Sequence, residues 1–467
     1  MTCRQMLDSC NAESIIMNVR KGTNVSMNLS RSLLNLQILL KLGRMLSEYP
    51  FEAETVRRLQ TVRLRRLLIH AYRNFDFYRE RMEDAGLNPF RFRELSELQK
   101  LPVLTEAEYR AFADQEYEKN RDQCSGYFFD STSGTTGIKF RIVRSWQERA
   151  YMIAKYLRPL ILNGLKWNDL TFRIIAPTRI NKKKDSLLQH LGFFRRRLLP
   201  FDVSAEEMAE EFRSLQPDFF YANKQQLLMT AYCLLDRNLE FRRPRIYSAV
   251  ADIIDENCRQ LFSRAFGSDN FFETYGCNEL GNLAFQLRGE EGMHFCHDTD
   301  ILEIQSASGI THVDGGNCLI TDLGIYSFPA IRFQLGDHLE TRKDEGGVVK
   351  IKKIWGRLHD LIEWKDGSST RFSEFFRVME RFSEQICQFQ FIQDDWHSFR
   401  VLCVLSPGHE DNPLPRSRLA GKLVSDLRKT IRGEADFQVQ FVPLIAAGKN
   451  GKVKMVIKKE SRIPAQQ

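Results

Sequence analysis

The chain has 467 residues, a net charge of +8, and 43% hydrophobic and 27% charged residues. One core stops growing at roughly 250–300 residues, so at least two domains are expected, and this composition excludes a disordered chain. The positive charge is spread along the sequence, which suits an anionic ligand such as a nucleotide; without a clustered basic and aromatic surface it does not support nucleic-acid binding.

Residues 1–25 show no periodicity and read as a loose leader. From Leu33 to Glu83 the pattern is helical, with Val56, Leu59, Val62, Leu67, Leu68 and Ala71 close to one face. Thr105 and Glu108 form a capping box after Pro102. Short strand-like runs follow at Tyr127–Asp130, Thr171–Ala176, Phe219–Ala222, Arg245–Val250, Asn270–Thr274 and Cys318–Asp322. A helix opens at Ser204, is capped with Glu207, and stops before Pro217. Strands alternating with helices predict an α/β fold whose large N-terminal domain has mostly parallel sheets. The charged, glycine-bearing turn Lys343–Gly347 marks a shift in composition. The boundary is placed near Arg357–Asp360, giving domains 1–356 and 357–467, the second a small α+β unit.

The ten cysteines show no CxxC pair, which points to reduced thiols and a cytoplasmic location. No run approaches the roughly 20 apolar residues of a membrane span, and the apolar run Leu33–Leu42 is interrupted by polar residues and lies too far in for a signal peptide. The basic runs Lys182–Lys184 and Arg195–Arg197 read as solvated faces.

The strongest chemical signal is Thr132-Ser133-Gly134-Thr135-Thr136-Gly137, directly after a strand. Glycines let backbone N–H groups approach an anion, and hydroxyls add donors. Alone, such a turn could be an ordinary Ser/Thr/Gly loop. Further pieces follow in order: Tyr275-Gly276-Cys277-Asn278-Glu279, Thr321-Asp322, Pro329-Ala330-Ile331-Arg332-Phe333, Leu335-Gly336-Asp337, Gly356-Arg357-Leu358-His359-Asp360 and Gly451-Lys452-Val453-Lys454. Singly each has a bland reading as a turn, a hairpin or a basic tail.

In this order and at these separations the pieces resemble the acyl- and aryl-adenylating enzyme superfamily. The segment His70–Gly86, Leu101-Pro102-Val103-Leu104-Thr105 and Gly292-Met293-His294 look like its phenylacetate–CoA ligase and CapK branch. The resemblance implies ATP-dependent activation of a carboxylic acid, an aromatic one among the candidates, to an acyl-AMP, with transfer to coenzyme A or another thiol. It implies that Ser133, Gly134, Thr135, Thr136 and Gly137 cradle phosphates, and that Tyr275 stacks on adenine. Asp337 would bind the ribose hydroxyls, Arg357 would sit near ribose or phosphate, and Glu279 would help hold Mg2+. Lys452 would reach the α-phosphate from a mobile C-terminal domain hinged at His359; Lys449 also follows a glycine, and Lys452 is favoured for its apolar sequel. Tyr247, Val250, Ile253 and Cys277 would line the acyl pocket, although Tyr247, Val250 and Ile253 read equally well as core.

Three departures bear on the chemistry. Ile138-Lys139-Phe140 stands where relatives carry proline and then lysine or threonine, Asn278 precedes Glu279, and His359 occupies the hinge position. The alternatives therefore stay open: an amine, hydroxyl or protein acceptor, a small inorganic acid as the activated group, or a nucleotide-binding scaffold without catalysis. The expected partners are a small-molecule carboxylic acid, ATP, and coenzyme A or a carrier protein, with a homodimer left open. His294, Cys296 and His297 are the sole metal-like cluster. On a strand His294 and Cys296 share a face while His297 points away, and zinc needs four convergent ligands.

Overall fold

The computed structural model describes residues 23–120, 128–131, 141–180, 189, 192–250, 254–306, 309–311, 315–357, 361–364, 369–408, 416–430, 435–446, 448 and 453–458. The helical stretch expected over Leu33–Glu83 is three helices, α1 (Thr23–Ser47), α2 (Ala53–Asn74) and α3 (Asp76–Asp84). Pro50 has no amide to continue a helix, so α1 and α2 are separate. Extended backbone at Phe75 (φ −131°) separates α2 from α3. Along α2 the buried face is Gln60, Leu64, Leu67, Leu68 and Ala71, whereas Val62, expected on that face, is exposed; at 100° per residue it lies opposite Leu64. Gln60 donates to the carbonyls of His297 (3.0 Å) and Asp300 (2.9 Å), which ties α2 to the sheet behind it.

Helix α4 (Glu106–Lys119) opens with the predicted capping box. The Glu108 amide donates to Thr105 Oγ1 at 3.3 Å and the Thr105 amide to Glu108 Oε2 at 2.8 Å. An antiparallel hairpin follows, β1 (Phe128–Ser131) with β2 (Arg141–Arg144). Its connection is residues 132–140, so the glycine-rich segment lies outside the described residues. Ser145 caps α5 (Trp146–Leu162).

A twelve-stranded sheet forms the body. Its first half is the parallel βα layer predicted by the alternation: β3 (Thr171–Ile175), β4 (Arg196–Pro200), β5 (Phe219–Asn223), β6 (Ile246–Val250) and β7 (Phe271–Cys277), ordered β7-β6-β5-β3-β4. Between them run α6 (Pro177–Ile180), α7 (Ala205–Leu215), α8 (Lys224–Asp236) and α9 (Glu256–Phe266). Ser204 caps α7 by accepting the Glu207 amide at 3.1 Å, and a left-handed Gln216 ends it before Pro217. From β7 onward the sheet is antiparallel: β8 (Gly281–Phe285), β9 (Met293–Phe295), β10 (Asp300–Ser306), β11 (Gly309–Thr311), β12 (Gly315–Asp322), β13 (Phe333–Lys343) and β14 (Val349–Arg357), in the order β11-β10-β12-β13-β14-β9-β8-β7. Hairpin connections need only short turns, and here they replace the helical crossovers of the parallel half.

The C-terminal unit packs α10 (Phe372–Glu380) and α11 (Arg416–Thr430) against a four-stranded sheet. That sheet holds β17 (Ile386–Gln393), β18 (Ser398–Leu405), β19 (Asp436–Phe441) and β20 (Val456–Lys458), after a short hairpin of β15 (Leu361–Glu363) and β16 (Ser369–Arg371). The small unit has its own apolar core around Phe375, Phe389, Phe391, Phe399 and Leu427. Three other clusters serve the large unit: one joins α1–α5 to the antiparallel strands, a second lies under the parallel strands, and a third, around Phe219, Tyr221, Ile246 and Phe272, lies against α5. The second also takes in Cys387, Val404 and Ile445 of the small unit.

Candidate active site

The Tyr-Gly motif ends β7, and its two residues serve different needs. A Cβ on Gly276 would lie 2.0 Å from the Gly281 carbonyl oxygen, so only glycine lets β8 approach there. Tyr275 is 9% exposed, and its hydroxyl donates to Asp337 Oδ2 at 2.7 Å, with Cys318 Sγ 3.8 Å away. Asp337 lies on β13 and Cys318 on β12. In sheet order β13 is four strands from β7, so the antiparallel half curls until its strands face one another. Burial, then the neighbouring Asp337 carboxylate, raise the Tyr275 phenol well above its usual value. The same two causes push the Cys318 thiol up to about 12. Both groups are protonated at neutral pH.

Asp337 faces Arg357 across the β13–β14 ladder as a register pair. Gly336, with φ +83°, supplies the left-handed backbone just before the carboxylate. Arg332, at φ +55°, is strained in the way that glycine avoids. Its buried guanidinium forms a two-pronged pair with Glu303 (3.0 and 3.1 Å), reaches the Gln99 carbonyl at 3.1 Å, and bonds the Leu101 carbonyl. Arg332 thus straps the Leu101–Thr105 segment to the sheet, and its part in the motif is structural.

Glu279 lies in the turn from β7 to β8. Arg144, on β2 directly after the glycine-rich segment, donates to the Asn278 carbonyl and, at 3.1 Å, to that of Glu279. The hairpin carrying residues 132–140 is therefore fastened to the turn carrying Glu279. The sequence reading did not single out Arg144; its signal was its place seven residues past the last glycine of the glycine-rich turn. Cys277 is partly buried, its thiol raised well above the ordinary value by burial and then by Glu279.

The other predicted site residues are placed less centrally. Tyr247 on β6 is buried in the core against Phe266 and Phe271 (ring centroids 5.3 and 4.9 Å), and its hydroxyl donates to the Gly267 carbonyl at 2.7 Å. Val250 ends β6. Ile253, His359, Lys449 and Lys452, with Ser133, Gly134, Thr135, Thr136 and Gly137, lie outside the described residues.

Asp322 is buried and engaged within the fold. Its Oδ1 caps the turn by accepting the amides of Gly324 (2.8 Å) and Ile325 (2.9 Å). Its Oδ2 pairs with Lys155 Nζ at 3.0 Å, and Lys155 also reaches Asp300 at 2.8 Å and the Leu280 carbonyl at 2.8 Å, all with no exposed side-chain surface on the charged groups. The metal-like cluster is likewise otherwise engaged. His294 shares bonds with Glu290 (2.8 Å) and Tyr49 (3.3 Å), His297 donates to the Val349 carbonyl (2.7 Å), and burial raises the Cys296 thiol to about 11. Among the described residues no group of three or more His, Cys, Asp and Glu side chains is arranged to hold a metal.

Comparison with known proteins gives the following similarities. Residues 363–459 match the CapK C-terminal domain family. A stretch of 52 residues is 48% identical to the phenylacetate-coenzyme A ligase of Escherichia coli (strain K12), covering 11% of this chain and 12% of that protein; the match thus spans about one eighth of that relative's length. The structure is similar to 2-hydroxyisobutyryl-CoA ligase in its postadenylation state, with a TM-score of 0.69 at 16% identity over 88% of this chain and 91% of that one. Against the thioesterification state of the same ligase the TM-score is 0.53, at 17% identity over 87% and 90%. The anthranilate CoA ligase AuaEII gives 0.51 at 15% identity over 70% and 65%. The chain has the fold of the adenylate-forming acyl- and aryl-CoA ligases. No helix among the described residues is long and apolar enough to cross a membrane.

Proposed function

We propose that the protein is an AMP-forming acid ligase. It activates a small-molecule carboxylic acid with ATP and passes the acyl group to coenzyme A. The observation that carries this reading is the convergence of Tyr275, Asp337 and the Asp337–Arg357 register pair in one corner, with Arg144 fastening the glycine-rich hairpin to the Glu279 turn beside it.

In the first half-reaction a carboxylate oxygen attacks the α-phosphorus of ATP, the bond to the bridging oxygen breaks, and pyrophosphate leaves with its electron pair. The backbone N–H groups and hydroxyls of Ser133–Gly137 hold the leaving phosphates. Asp337 accepts from the ribose hydroxyls, and the aromatic face of Tyr275 bounds the base. Tyr275 donates to one Asp337 oxygen, which helps to fix the carboxylate plane. Lys452 neutralises charge that grows on the α-phosphate, an effect strongest where water is excluded. Mg2+, when bound, offsets charge on the phosphates. Glu279 fits it as a single hard oxygen donor, since a nucleotide-borne Mg2+ needs only one or two protein carboxylates. In the second half-reaction the thiol of coenzyme A attacks the acyl carbon, AMP leaves, and the thiol proton goes to solvent.

The domain organisation fits this sequence of steps: 1–356 for ATP and acid, 357–467 as the mobile lysine-bearing domain with His359 at the hinge. The near-core position of Tyr247 leaves the acyl pocket to Val250, Ile253 and Cys277 and their neighbours. Acid-dependent exchange of labelled pyrophosphate into ATP, over a panel of aliphatic and aromatic acids, tests the first half. AMP release on adding coenzyme A tests the second. Exchange with AMP release only from amine or hydroxyl acceptors would change the acceptor; ATP binding with no exchange for any acid would make the chain a scaffold.

A further inference from the structure

The face of the parallel strands that packs against α5 carries a polar row. Arg173, in the middle of β3, pairs in register with Tyr221 on β5, Tyr221 with Ser248 on β6, and Ser248 with Phe272 on β7. Side chains alternate along a strand. Phe172 and Ile174 enter the core on the other face, whereas Tyr221 and Phe272 pack with Leu160 of α5. Arg173 therefore points towards α5. Its guanidinium lies over two rings there, 4.7 Å from the Tyr221 centroid and 5.6 Å from that of Tyr156.

No anion answers this guanidinium. Arg173 is half-buried and its Nε fully so, yet among the described residues it has neither a hydrogen bond nor an ion pair. Burial opposes its charge, and the groups that favour it are the hydroxyls of Tyr156 and Tyr221 rather than any carboxylate. Other arginines of this sheet and its helices are paired, Arg245 with Asp169 and Arg259 with Glu273. In the same row as Arg173 the Ser248 hydroxyl is buried with no partner. Buried polar groups are nearly always hydrogen-bonded, so two unpaired ones in one row call for a functional reason.

The row's place in the sheet supplies that reason. Ligands of parallel α/β sheets bind at the carboxyl ends of the strands. Val250, a candidate acyl-pocket residue, ends β6 two residues beyond Ser248, and Tyr275 of the nucleotide corner stands three residues beyond Phe272 on β7. At about 3.3 Å per residue the row lies about 7–10 Å below the reacting edge. Tyr156, Ile175 and Asn223 are half-buried, so packing does not seal the way down to Arg173. We propose that Arg173 is a specificity residue. The acid activated here carries a second carboxylate, about 7–10 Å from the one that is adenylated, and the guanidinium receives it. This rests on the ligase reading and names its substrate class, a dicarboxylic acid.

The test pairs acids that differ only in the distal group, octanoate with octanedioate and phenylacetate with 4-carboxyphenylacetate. Pyrophosphate exchange by the full-length protein is expected to favour the diacid of at least one pair by about tenfold or more in kcat/KM, the effect of one charge-assisted bond. Arg173→Met leaves no counter-ion orphaned and is expected to fold. It is expected to bring the two acids of each pair level, chiefly through a higher KM for the diacid. The ratio is the readout, because a merely structural loss lowers both acids alike. Arg173→Lys keeps the charge and is expected to keep part of the preference. Monoacids favoured by the wild type, or a preference that survives Arg173→Met, would overturn the proposal and leave the ligase reading intact. If no acid supports exchange, the ligase reading falls, and calorimetry with octanedioate decides the role of Arg173. Binding that is lost in Arg173→Met supports an anion site there; equal binding in both proteins, or none in the wild type, overturns it.

Discussion

Lys155 offers the sharpest test of how the site is supported. Its ammonium is fully buried and is shared between Asp300 (2.8 Å) and Asp322 (3.0 Å), with the Leu280 carbonyl at 2.8 Å. The two carboxylates raise the Lys155 pKa against the opposing effect of burial, while burial raises that of Asp300 despite Lys155. Both directions describe one tightly coupled group whose net charge is kept small. Lys155→Met retains the volume and removes the charge, leaving two carboxylates facing each other without water. Breaking such a buried network by deleting one partner costs about 3–5 kcal/mol. For a large domain that corresponds to a fall in Tm of roughly 4–7 °C. In the variant the carboxylates can relieve repulsion only by taking up a proton, so their folded pKa values lie above the unfolded ones. The folded state then binds more protons than the unfolded state, and stability falls as pH rises through this window. The deficit is expected to be smaller at pH 5 than at pH 7.5, and Asp300→Asn added to Lys155→Met should restore part of it. Thermal unfolding at the two pH values measures both. A loss below about 1 kcal/mol at pH 7.5, or a deficit that grows on acidification, would refute the network as drawn.

Asp337→Ala is expected to weaken Mg·ATP binding about 10–100-fold in a folded protein, from the net loss of one bond to a charged acceptor at about 1.5–3 kcal/mol, read by calorimetry. Lys452→Ala should leave ATP affinity nearly unchanged and slow acyl-AMP formation at least about a hundredfold, near 2.7 kcal/mol of transition-state stabilisation, whereas Lys449→Ala does much less; a dead Lys449→Ala beside a normal Lys452→Ala would move the role by three residues. Limited proteolysis without ligand is expected to cut first near Arg357–Lys365, and a first cut well inside 141–340 would count against the two-domain organisation. Asn257→Ala should accelerate that first cut, since Asn257 is the buried donor to the Met379 (3.2 Å) and Ile386 (2.7 Å) carbonyls of the small unit.

What was legible in the sequence is local or periodic. The capping box at Thr105, the cap at Ser204, the parallel strands and the Tyr-Gly turn each rest on neighbours a few residues apart. Asp337 was singled out through the resemblance that Leu335-Gly336-Asp337 helps to carry. The support of the site was not legible, because it is made across the chain. Lys155 meets Asp300 and Asp322 at separations of 145 and 167 residues, and Arg144 meets Glu279 at 135. Nothing in the sequence near Lys155 distinguishes it from a solvated lysine on an amphipathic helix. Tyr247 shows the converse: the resemblance implied a pocket residue while the residue read equally well as core, and the structure buries its ring in the core, with the hydroxyl satisfied by Gly267. The curl that brings β7 against β12 and β13 is a property of twelve strands together.

The seat of the small domain bears on how the proposed two-step cycle could run. Beyond Asn257, Gln388 donates to Gln225 (2.6 Å) and Arg264 to the Pro407 carbonyl (3.0 Å), while Cys387, Val404 and Ile445 are packed into the core beneath the parallel strands. Each hydrogen bond is worth about 1 kcal/mol net, and three apolar side chains leaving a core add several more. A rotation that merely detached the domain would therefore lie uphill by an amount that thermal motion seldom supplies. It becomes accessible only if the rotated domain finds a second seat of comparable quality, or if a ligand binds the rotated state more tightly by a matching margin. Coenzyme A bound between the domains is the ligand in a position to do this under the proposed function. The thiol step would then be gated by its own substrate, and Asn257→Ala, by weakening the first seat, should lower the coenzyme A concentration needed for half-maximal AMP release while leaving pyrophosphate exchange close to the wild-type rate. A higher coenzyme A requirement in that variant would mean that Asn257 serves the rotated state rather than the seated one.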